Sequence, residues 1–231
     1  MKTKTISVII PVLNEASRIG SILERLVNTD NVEVIVVDGG SQDQTVSVAR
    51  SRNVQVISTP PGRACQMNAG AARATGDILL FLHADTCLPA NFDSLVRQAL
   101  QAPQTIAGAF ELRIDSQQFG LRLIERLVNW RSRFFSMPYG DQAIFLKATV
   151  FHTIGGFPNL PIMEDFEFIR RLQPLGRITI VPASVLTSGR RWERLGIIKT
   201  TLINQLIILG YFFGVSPEKL AQWYRKQGKW Q

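Results

Sequence analysis

Short apolar runs alternate with segments of helical periodicity over the first third of the chain. Ile19, Ile22, Leu23 and Leu26 recur at helical spacing, and residues 63–74 form a small-residue segment that is also predicted to be helical. Such strand and helix alternation predicts an α/β protein with a parallel sheet covered by helices on both faces. The predicted strands are residues 5–10, 32–37, 54–57 and 78–82.

Polar residues follow three of these strands. Parallel strands end at one edge of a sheet, where open α/β sheets bind ligands. Residues 78–82 are followed by His83 and Asp85. The Asp85 carboxylate, with His83 as a second donor two residues earlier, suits a divalent cation held against a diphosphate. The alternative is a strand that ends in a polar turn. The residues expected along this edge are Pro11, Asn14, Glu15, Asp38, His83 and Asp85.

Composition and charge narrow the classes of function. The chain has 231 residues, a net charge of +8 and two cysteines. We expect one domain over residues 1–231 in a reducing, cytoplasmic compartment, since the start of the chain has no signal-peptide pattern. The positive charge favours anionic partners: nucleic acid, anionic lipid or a phosphorylated substrate. No dinucleotide-binding glycine motif and no P-loop occurs in the sequence.

Several motifs, in this order, resemble family 2 glycosyltransferases with the GT-A fold. The resemblance covers residues 4–190, and it implies a mostly parallel sheet flanked by helices, with a helical C-terminal segment over about 193–231. It also implies inverting transfer of a sugar from a nucleotide-diphosphate donor, UDP-linked by default, to a hydroxyl acceptor. The motifs span residues 6–15, 36–45, 62–70, 74–78, 155–157 and 164–165.

The resemblance assigns a nucleotide site. Asp38 is expected to hydrogen-bond the base, and Asn14 and Glu15, in the motif that contains Pro11, to lie near the ribose and base. The same resemblance places Arg63, Asn68 and Asp85 around the nucleotide. Each has a structural alternative: Asp38 as a turn residue, Glu15 as part of a helix start, and Arg63 as a solvated cation.

The metal motif departs from the family pattern. His83-Ala84-Asp85 stands where the family has Asp-x-Asp. Asp85 is still expected to hold Mn²⁺ or Mg²⁺, and an imidazole at His83 favours Mn²⁺. The alternative for His83 is a histidine of the core.

Three carboxylates in four residues open a predicted helix at 164–167. The resemblance makes Asp165 the catalytic base, with Glu164 orienting it or holding a sugar hydroxyl. One base opposite the leaving diphosphate suffices for a single in-line displacement, which inverts the anomeric centre. The alternative is a charged first turn, which the helix dipole favours.

Further substrate contacts are expected near the end of the resemblance. Residues 188–192 resemble the Gln-x-x-Arg-Trp motif of processive synthases, with Ser188 at the Gln position. Arginines there suit a diphosphate, or they form a basic surface turn. Asp141, before a predicted strand at 143–146, either lines a substrate pocket or belongs to a turn. The candidate substrate and diphosphate residues are Asp141, Arg190, Arg191 and Trp192.

Two apolar segments fall short of a membrane span. Phe119–Phe135 has a basic amphipathic pattern, and residues 195–215 are apolar but contain polar residues and glycines. Such segments predict peripheral binding at the inner face of an anionic membrane, and a lipid or other apolar acceptor. The alternatives are a core layer or a dimer face.

Two rival functions use the same features differently. A nucleotidyltransferase would need a glycine-rich basic loop after the first strand, which residues 12–16 do not provide. A nucleic-acid-binding module would exploit the positive charge, but carboxylates at strand ends would repel phosphates, so no nucleic acid is expected as a partner.

Overall fold

The computed structural model describes residues 3–227. Residues 228–231, the end of the predicted C-terminal segment, lie outside the described residues.

Eight strands form one mixed sheet in the order β3-β2-β1-β4-β7-β6-β8-β5. The first four predicted strands are all present, and β1 pairs in parallel with both β2 and β4, as β2 does with β3. The strands are β1 (Ile6–Val12), β2 (Val32–Asp38), β3 (Gln55–Ser58), β4 (Ile78–Phe81), β5 (Thr86–Cys87), β6 (Thr105–Asp115), β7 (Phe145–Lys147) and β8 (Arg177–Ser188).

The second half of the sheet contains pairings that the sequence did not predict. β7, near the predicted strand at 143–146, runs antiparallel to β4 and β6, and β5 runs antiparallel to β8. The long pair β6 and β8 is parallel and was missed. Gly108 and two charged residues interrupt the apolar pattern of β6, and Pro182 interrupts that of β8.

Helices cover both faces of the sheet, as predicted. One face packs against α1, α4 and α5, and the other against α3, α6 and α7. The helices are α1 (Ala16–Leu26), α2 (Thr45–Arg50), α3 (Arg63–Arg73), α4 (Phe92–Gln101), α5 (Phe119–Phe135), α6 (Ala148–Thr153), α7 (Glu164–Leu172), α8 (Arg190–Leu195), α9 (Ile197–Phe212) and α10 (Pro217–Gln227).

Helix α3 lies unusually close to the sheet. A Cβ atom added at Gly70 would stand 2.4 Å from Ile9 Cγ2 and 2.9 Å from Val37 Cγ2. Glycine is therefore needed where α3 crosses β1 and β2. This close packing fixes the start of α3, with Arg63, beside the carboxyl edge of the strands.

The amphipathic prediction for Phe119–Phe135 is confirmed as helix α5, and most of residues 195–215 form α9 after the short α8. Helices α9 and α10 pack on α7 through Met163, Phe166, Ile207 and Leu220. Within residues 3–227, no helix combines the length and apolar character needed to cross a bilayer.

Candidate active site

The loops after β1 and β2 are tied together by hydrogen bonds. The Asn14 N–H donates to Ser41 Oγ at 2.9 Å, and the Gln42 N–H donates to Asn14 Oδ1 at 2.8 Å. The Glu15 N–H donates to Thr45 Oγ1 at 2.8 Å. Asn14 has a φ of 55°, a left-handed conformation that asparagine tolerates. The two loops thus form one rigid wall at the carboxyl edge, directly after Pro11.

Asp38 ends β2 and is almost fully buried, with 4% of its surface exposed. Its carboxylate accepts hydrogen bonds from the N–H groups of Gly40 and Ser41, each at 3.1 Å. Asp38 therefore fixes the turn after β2, the structural role that the sequence left open. Contact between its remaining lone pairs and a nucleotide base stays a prediction.

Glu15, Asp85 and Arg190 form a charged cluster at the same edge. Arg190 Nη2 lies 3.4 Å from Glu15 Oε2 and 3.7 Å from Asp85 Oδ2. Burial raises the pKa of the Glu15 carboxyl, and Arg190 offsets part of this rise. The cluster joins three predicted site residues from the β1 loop, the β4 loop and the start of α8.

Glu164 and Asp165 begin α7 and face different partners. Glu164 is 3% exposed and pairs with Arg63 Nη1 at 3.3 Å. Burial raises the pKa of Glu164, and Arg63 opposes that rise. Asp165 Oδ2 accepts the Gly140 N–H at 2.7 Å, and Oδ1 accepts the Phe166 N–H at 2.7 Å. Both oxygens of Asp165 are thereby oriented by backbone donors.

Gly140 brings His83 close to Asp165. A Cβ atom on Gly140 would lie 3.0 Å from His83 Nε2 and 3.2 Å from Asp165 Oδ2, so a side chain there would crowd both. Burial and the nearby Arg63 lower the pKa of His83 to about 3. The imidazole is therefore neutral at physiological pH, the form that ligates metals.

Asp141 is a third carboxylate near Asp165 and Asp85. Its Oδ1 is buried without a hydrogen-bond partner among the described residues. Burial, with Asp165 and Asp85 adding to the effect against Arg131, raises the pKa of Asp141 to about 6. This carboxylate thus has an acceptor atom left for a ligand.

Arg191 and Trp192 differ in what they contact. Arg191 stacks over Tyr224 at 4.0 Å, and its Nε and Nη2 are buried with no acceptor in the described part of the chain. Burial, with Arg194 and Arg63 nearby, lowers the pKa of Arg191 to about 10. Trp192 packs against the apolar core beside the sheet. Arg191 therefore has free donors for an anion, whereas the contacts of Trp192 are structural.

Asn68 is occupied by the backbone of Phe157. Its Nδ2 donates to the Phe157 carbonyl at 2.8 Å, and its Oδ1 accepts the Phe157 N–H at 2.9 Å. The side chain fastens the Gly155–Phe157 turn to α3, and a role at the nucleotide stays a prediction.

The family model for glycosyl transferase family 2 matches residues 7–157. The chain belongs to glycosyl transferase family 2. A PGL/p-HBAD biosynthesis glycosyltransferase of Mycobacterium tuberculosis is 30% identical in an alignment 185 residues long that covers 73% of this chain and 69% of the relative. The protein is accordingly a glycosyltransferase enzyme, as the resemblance implied.

Solved structures confirm the GT-A fold of this transferase. A mannosyltransferase from Pyrobaculum calidifontis, in complex with GDP-Man and Mn²⁺, superposes with a TM-score of 0.67 at 20% identity, over 99% of this chain and 74% of that one. Glucosyl-3-phosphoglycerate synthase from M. tuberculosis, in complex with Mn²⁺, UDP and glucosyl-3-phosphoglycerate, gives a TM-score of 0.59 at 20% identity, with coverages of 88% and 79%.

The donor set of the transferase fits a metal held jointly with a ligand. Among residues 3–227, no group of three or more His, Cys, Asp or Glu side chains is arranged to hold an ion. His83 and Asp85 alone offer one neutral imidazole and one partly exposed carboxylate. Mn²⁺ accepts this mixed N and O set, with phosphate oxygens and water completing its coordination.

Sequence reasoning missed the residues that hold the site together. Gln66 Nε2 donates to the carbonyls of Val12 and Val37 at 2.9 and 2.8 Å, joining the ends of β1 and β2. Gln142 is buried and bonds Ser132, the Tyr139 N–H and the Phe110 carbonyl, which fixes the turn that carries Gly140. Gln66 lies inside the motif at residues 62–70 and Gln142 directly follows Asp141, but a glutamine gives no periodic or charge signal.

Proposed function

We propose that this transferase moves a sugar from a UDP-sugar to a hydroxyl acceptor, with inversion of the anomeric centre. The position of Arg63 is the observation that carries the proposal. Its guanidinium interacts electrostatically with Glu164, Asp165 and Asp85. Arg63 therefore lies near both the candidate metal ligand and the candidate base. A donor whose diphosphate lies at Asp85 would direct its sugar towards Asp165.

The nucleotide would lie against the wall formed by the β1 and β2 loops. Asn14, Glu15 and Asp38 would supply the polar groups of this wall. Pro11 would border the nucleotide at the end of β1, and Asn68 would border it on the side of α3. Solved relatives of the fold are complexes with UDP or with GDP-Man. The proposed base is uracil, and guanine is the main competitor that binding must exclude.

Asp85 and His83 would hold the cation, proposed as Mn²⁺. When bound, such an ion offsets negative charge on the leaving diphosphate. Arg190 and Arg191 would donate to the phosphate oxygens. Among residues 3–227, Arg191 has two buried donors without an acceptor. Arg190 makes long contacts with Glu15 and Asp85, at 3.4 to 3.7 Å, and with Ser188 Oγ, at 3.3 Å. Asp141 would line the part of the pocket that holds the donor sugar, and Trp192 would lie farther from the sugar.

Asp165 would act as the base. The Gly140 and Phe166 N–H groups orient its carboxylate, and Glu164 is held apart by Arg63. The acceptor hydroxyl would transfer its proton to Asp165 as its oxygen attacks the anomeric carbon, while the bond to the diphosphate breaks on the opposite face. The proposed acceptor is a lipid or another apolar molecule, reached by an enzyme peripheral to the inner face of the membrane.

Calorimetric titration of UDP, GDP, CDP and ADP, with and without Mn²⁺, tests this function. Wild-type enzyme should prefer UDP and require Mn²⁺. Asp85→Asn should weaken UDP binding at least about tenfold, since charged contacts contribute about 1.5–3 kcal/mol. Asp30→Asn is the control, because Asp30 is exposed and precedes β2 at the opposite edge of the sheet.

Two results would contradict the proposal. If UDP bound equally with and without Mn²⁺, and equally to Asp85→Asn, the metal assignment would be wrong. If none of the four nucleotides bound with Mn²⁺ present, the donor assignment would be wrong and the cleft would serve another ligand.

A further inference from the structure

Helices α5 and α9 carry matching stripes of exposed apolar side chains. Both stripes advance along the chain by four, four, three and four residues, which keeps them on one side of each helix. All ten side chains are at least half exposed. We call the two stripes together the apolar face: Phe119, Leu123, Leu127, Trp130 and Phe134 on α5, Ile198, Leu202, Leu206 and Leu209 on α9, and Phe213 directly after α9.

The two helices approach each other at their starts. At their starts, a Cβ atom on Gly120 would stand 2.8 Å from Ile197 Cδ1, and an apolar recess between them is lined by Gly120, Ile198, Leu202 and Leu206. Near their ends, Arg131 stacks on Tyr139, Tyr139 contacts Phe166, and Phe166 contacts Phe212. The two stripes therefore begin next to each other, and the far ends of the helices are linked through Tyr139 and Phe166.

Packing within the fold does not explain the apolar outer side of helix α9. Its inner side, with Thr200, Ile203 and Ile207, is buried in the fold. A surface helix ordinarily turns polar residues outward. Apolar patches of this extent on soluble proteins mark contact with a partner or a membrane.

The charge around the apolar face is positive. Helix α5 contains four arginines and one acid. Arg122 pairs with that acid, the buried Glu125, and Arg133 pairs with Glu111 of β6, whereas Arg126 is exposed. Helix α9 contains Lys199 and no acid. An apolar stripe bordered by arginines complements the acyl chains and anionic head groups of a bilayer. A two-fold dimer through the same face would instead bring the α5 arginines towards their own copies.

We propose that the apolar face docks the enzyme in the plane of an anionic lipid bilayer. Phe212, the last residue of α9, packs on the buried Phe166, the neighbour of Asp165 in α7. If the proposed function holds, which this consequence requires, an acceptor hydroxyl at the bilayer surface lies beside the base. Docking itself depends only on the two helices.

Vesicle flotation tests the docking. Wild-type protein should float with vesicles of equal parts phosphatidylcholine and phosphatidylglycerol, and less with phosphatidylcholine alone, and added salt should reduce the bound fraction. The double variants Trp130→Ser/Phe134→Ser and Leu202→Ser/Leu206→Ser should each lower partitioning at least about tenfold, since each removes two large apolar contacts. Val27→Ser is the matched control, an exposed apolar residue outside both helices.

Folding and donor binding are measured on the same variants. Circular dichroism melting reports the fold without any ligand, and UDP titration reports the donor site. Normal melting with lost flotation supports docking whether or not UDP binds, so failure of the proposed function is seen separately. Equal flotation of wild type and both double variants would overturn the proposal. So would a wild-type dimer that both variants dissociate while vesicles capture none of the proteins.

Discussion

The carboxyl edge of the sheet and the apolar face use charge in opposite ways. At the edge, Arg63 pairs with buried Glu164, and Arg190 is shared by Glu15 and Asp85. On the apolar face, Arg126 and Lys199 are exposed beside aromatic and aliphatic side chains, and Arg133 pairs with Glu111 at the border of the face. Paired charges in a cleft suit a small anionic ligand with its own counter-ion. Cations beside exposed apolar groups suit an extended amphipathic partner.

This contrast suggests a division of labour between the two regions. The residues of the cleft come from loops after separate strands and meet only in the folded protein, so the order of the strands and loops determines the cleft. Helical periodicity alone fixes the apolar face. Substitutions at the carboxyl edge should therefore change turnover or donor binding and leave membrane partitioning unchanged. Substitutions on the apolar face should change membrane partitioning and leave turnover and donor binding unchanged.

Replacing Asp165 gives the sharpest separation. Asp165→Asn keeps an acceptor for only one of the Gly140 and Phe166 N–H groups, because its amide nitrogen cannot accept the other. It also removes the base, so we expect turnover to fall about 10²–10⁴-fold. UDP affinity should change little. The measurement is UDP release from the preferred sugar nucleotide with an acceptor present, beside UDP titration.

Glu167→Gln is the control for Asp165→Asn. Glu167 lies in the same first turn but bonds Arg170 and Tyr211. If Asp165→Asn turned over about as fast as the control, Asp165 would not be the catalytic base. The carboxyl edge would then contribute only to substrate binding.

A second prediction concerns the scaffold below the edge. Gly70→Ala should lower the free energy of unfolding by about 1–3 kcal/mol, because its Cβ overlaps Ile9 and Val37 in a packed core. Gly20→Ala in α1 meets only Val48 Cγ1 at 3.3 Å and should stay within about 1 kcal/mol of wild type. Urea unfolding measures both. Equal effects would mean that α3 can move away from the sheet, and that its hold on Arg63 is loose.

The sequence predicted the parallel half of the sheet and the α5 helix because each has a clean period. β6 and β8 escaped prediction because Gly108 and Pro182 break their apolar runs, and their pairing is fixed only by distant contacts. The same limit applies to the site. Motif order indicated Glu15, Asp85 and Asp165, but not that Arg190 joins Glu15 to Asp85.

Asn68 and Trp192 show the opposite limit of motif reasoning. Asn68 holds the Phe157 backbone and Trp192 packs on the core, so both side chains have structural contacts that their motifs did not indicate. Their ligand contacts stay predictions. A motif marks residues that a fold needs nearby, and it does not separate those that touch a ligand from those that support a loop.

Arg190 tests whether the charged cluster recognises phosphate. Arg190→Gln should weaken UDP binding about tenfold, the order expected for a charged hydrogen bond. Binding of uridine, which has no phosphates, should not change. The control Arg18→Gln removes another partner of Glu15, 3.7 Å away, that does not reach Asp85. Equal losses for UDP and uridine would indicate that Arg190 only shapes the pocket.

The smallest effect belongs to the apolar face and is the one that separates the two regions most directly. Leu202→Ser should change the free energy of unfolding by less than about 0.5 kcal/mol, because Leu202 is 57% exposed and little of the fold packs on it. Ile207→Ala, on the inner side of the same helix, should cost about 2–5 kcal/mol. Urea unfolding without lipid measures both. A cost above 2 kcal/mol for Leu202→Ser, on the scale of a core deletion, would show that this side chain is covered in solution. The face would then be part of a protein interface, and the contrast with the carboxyl edge would have to be drawn between two buried surfaces.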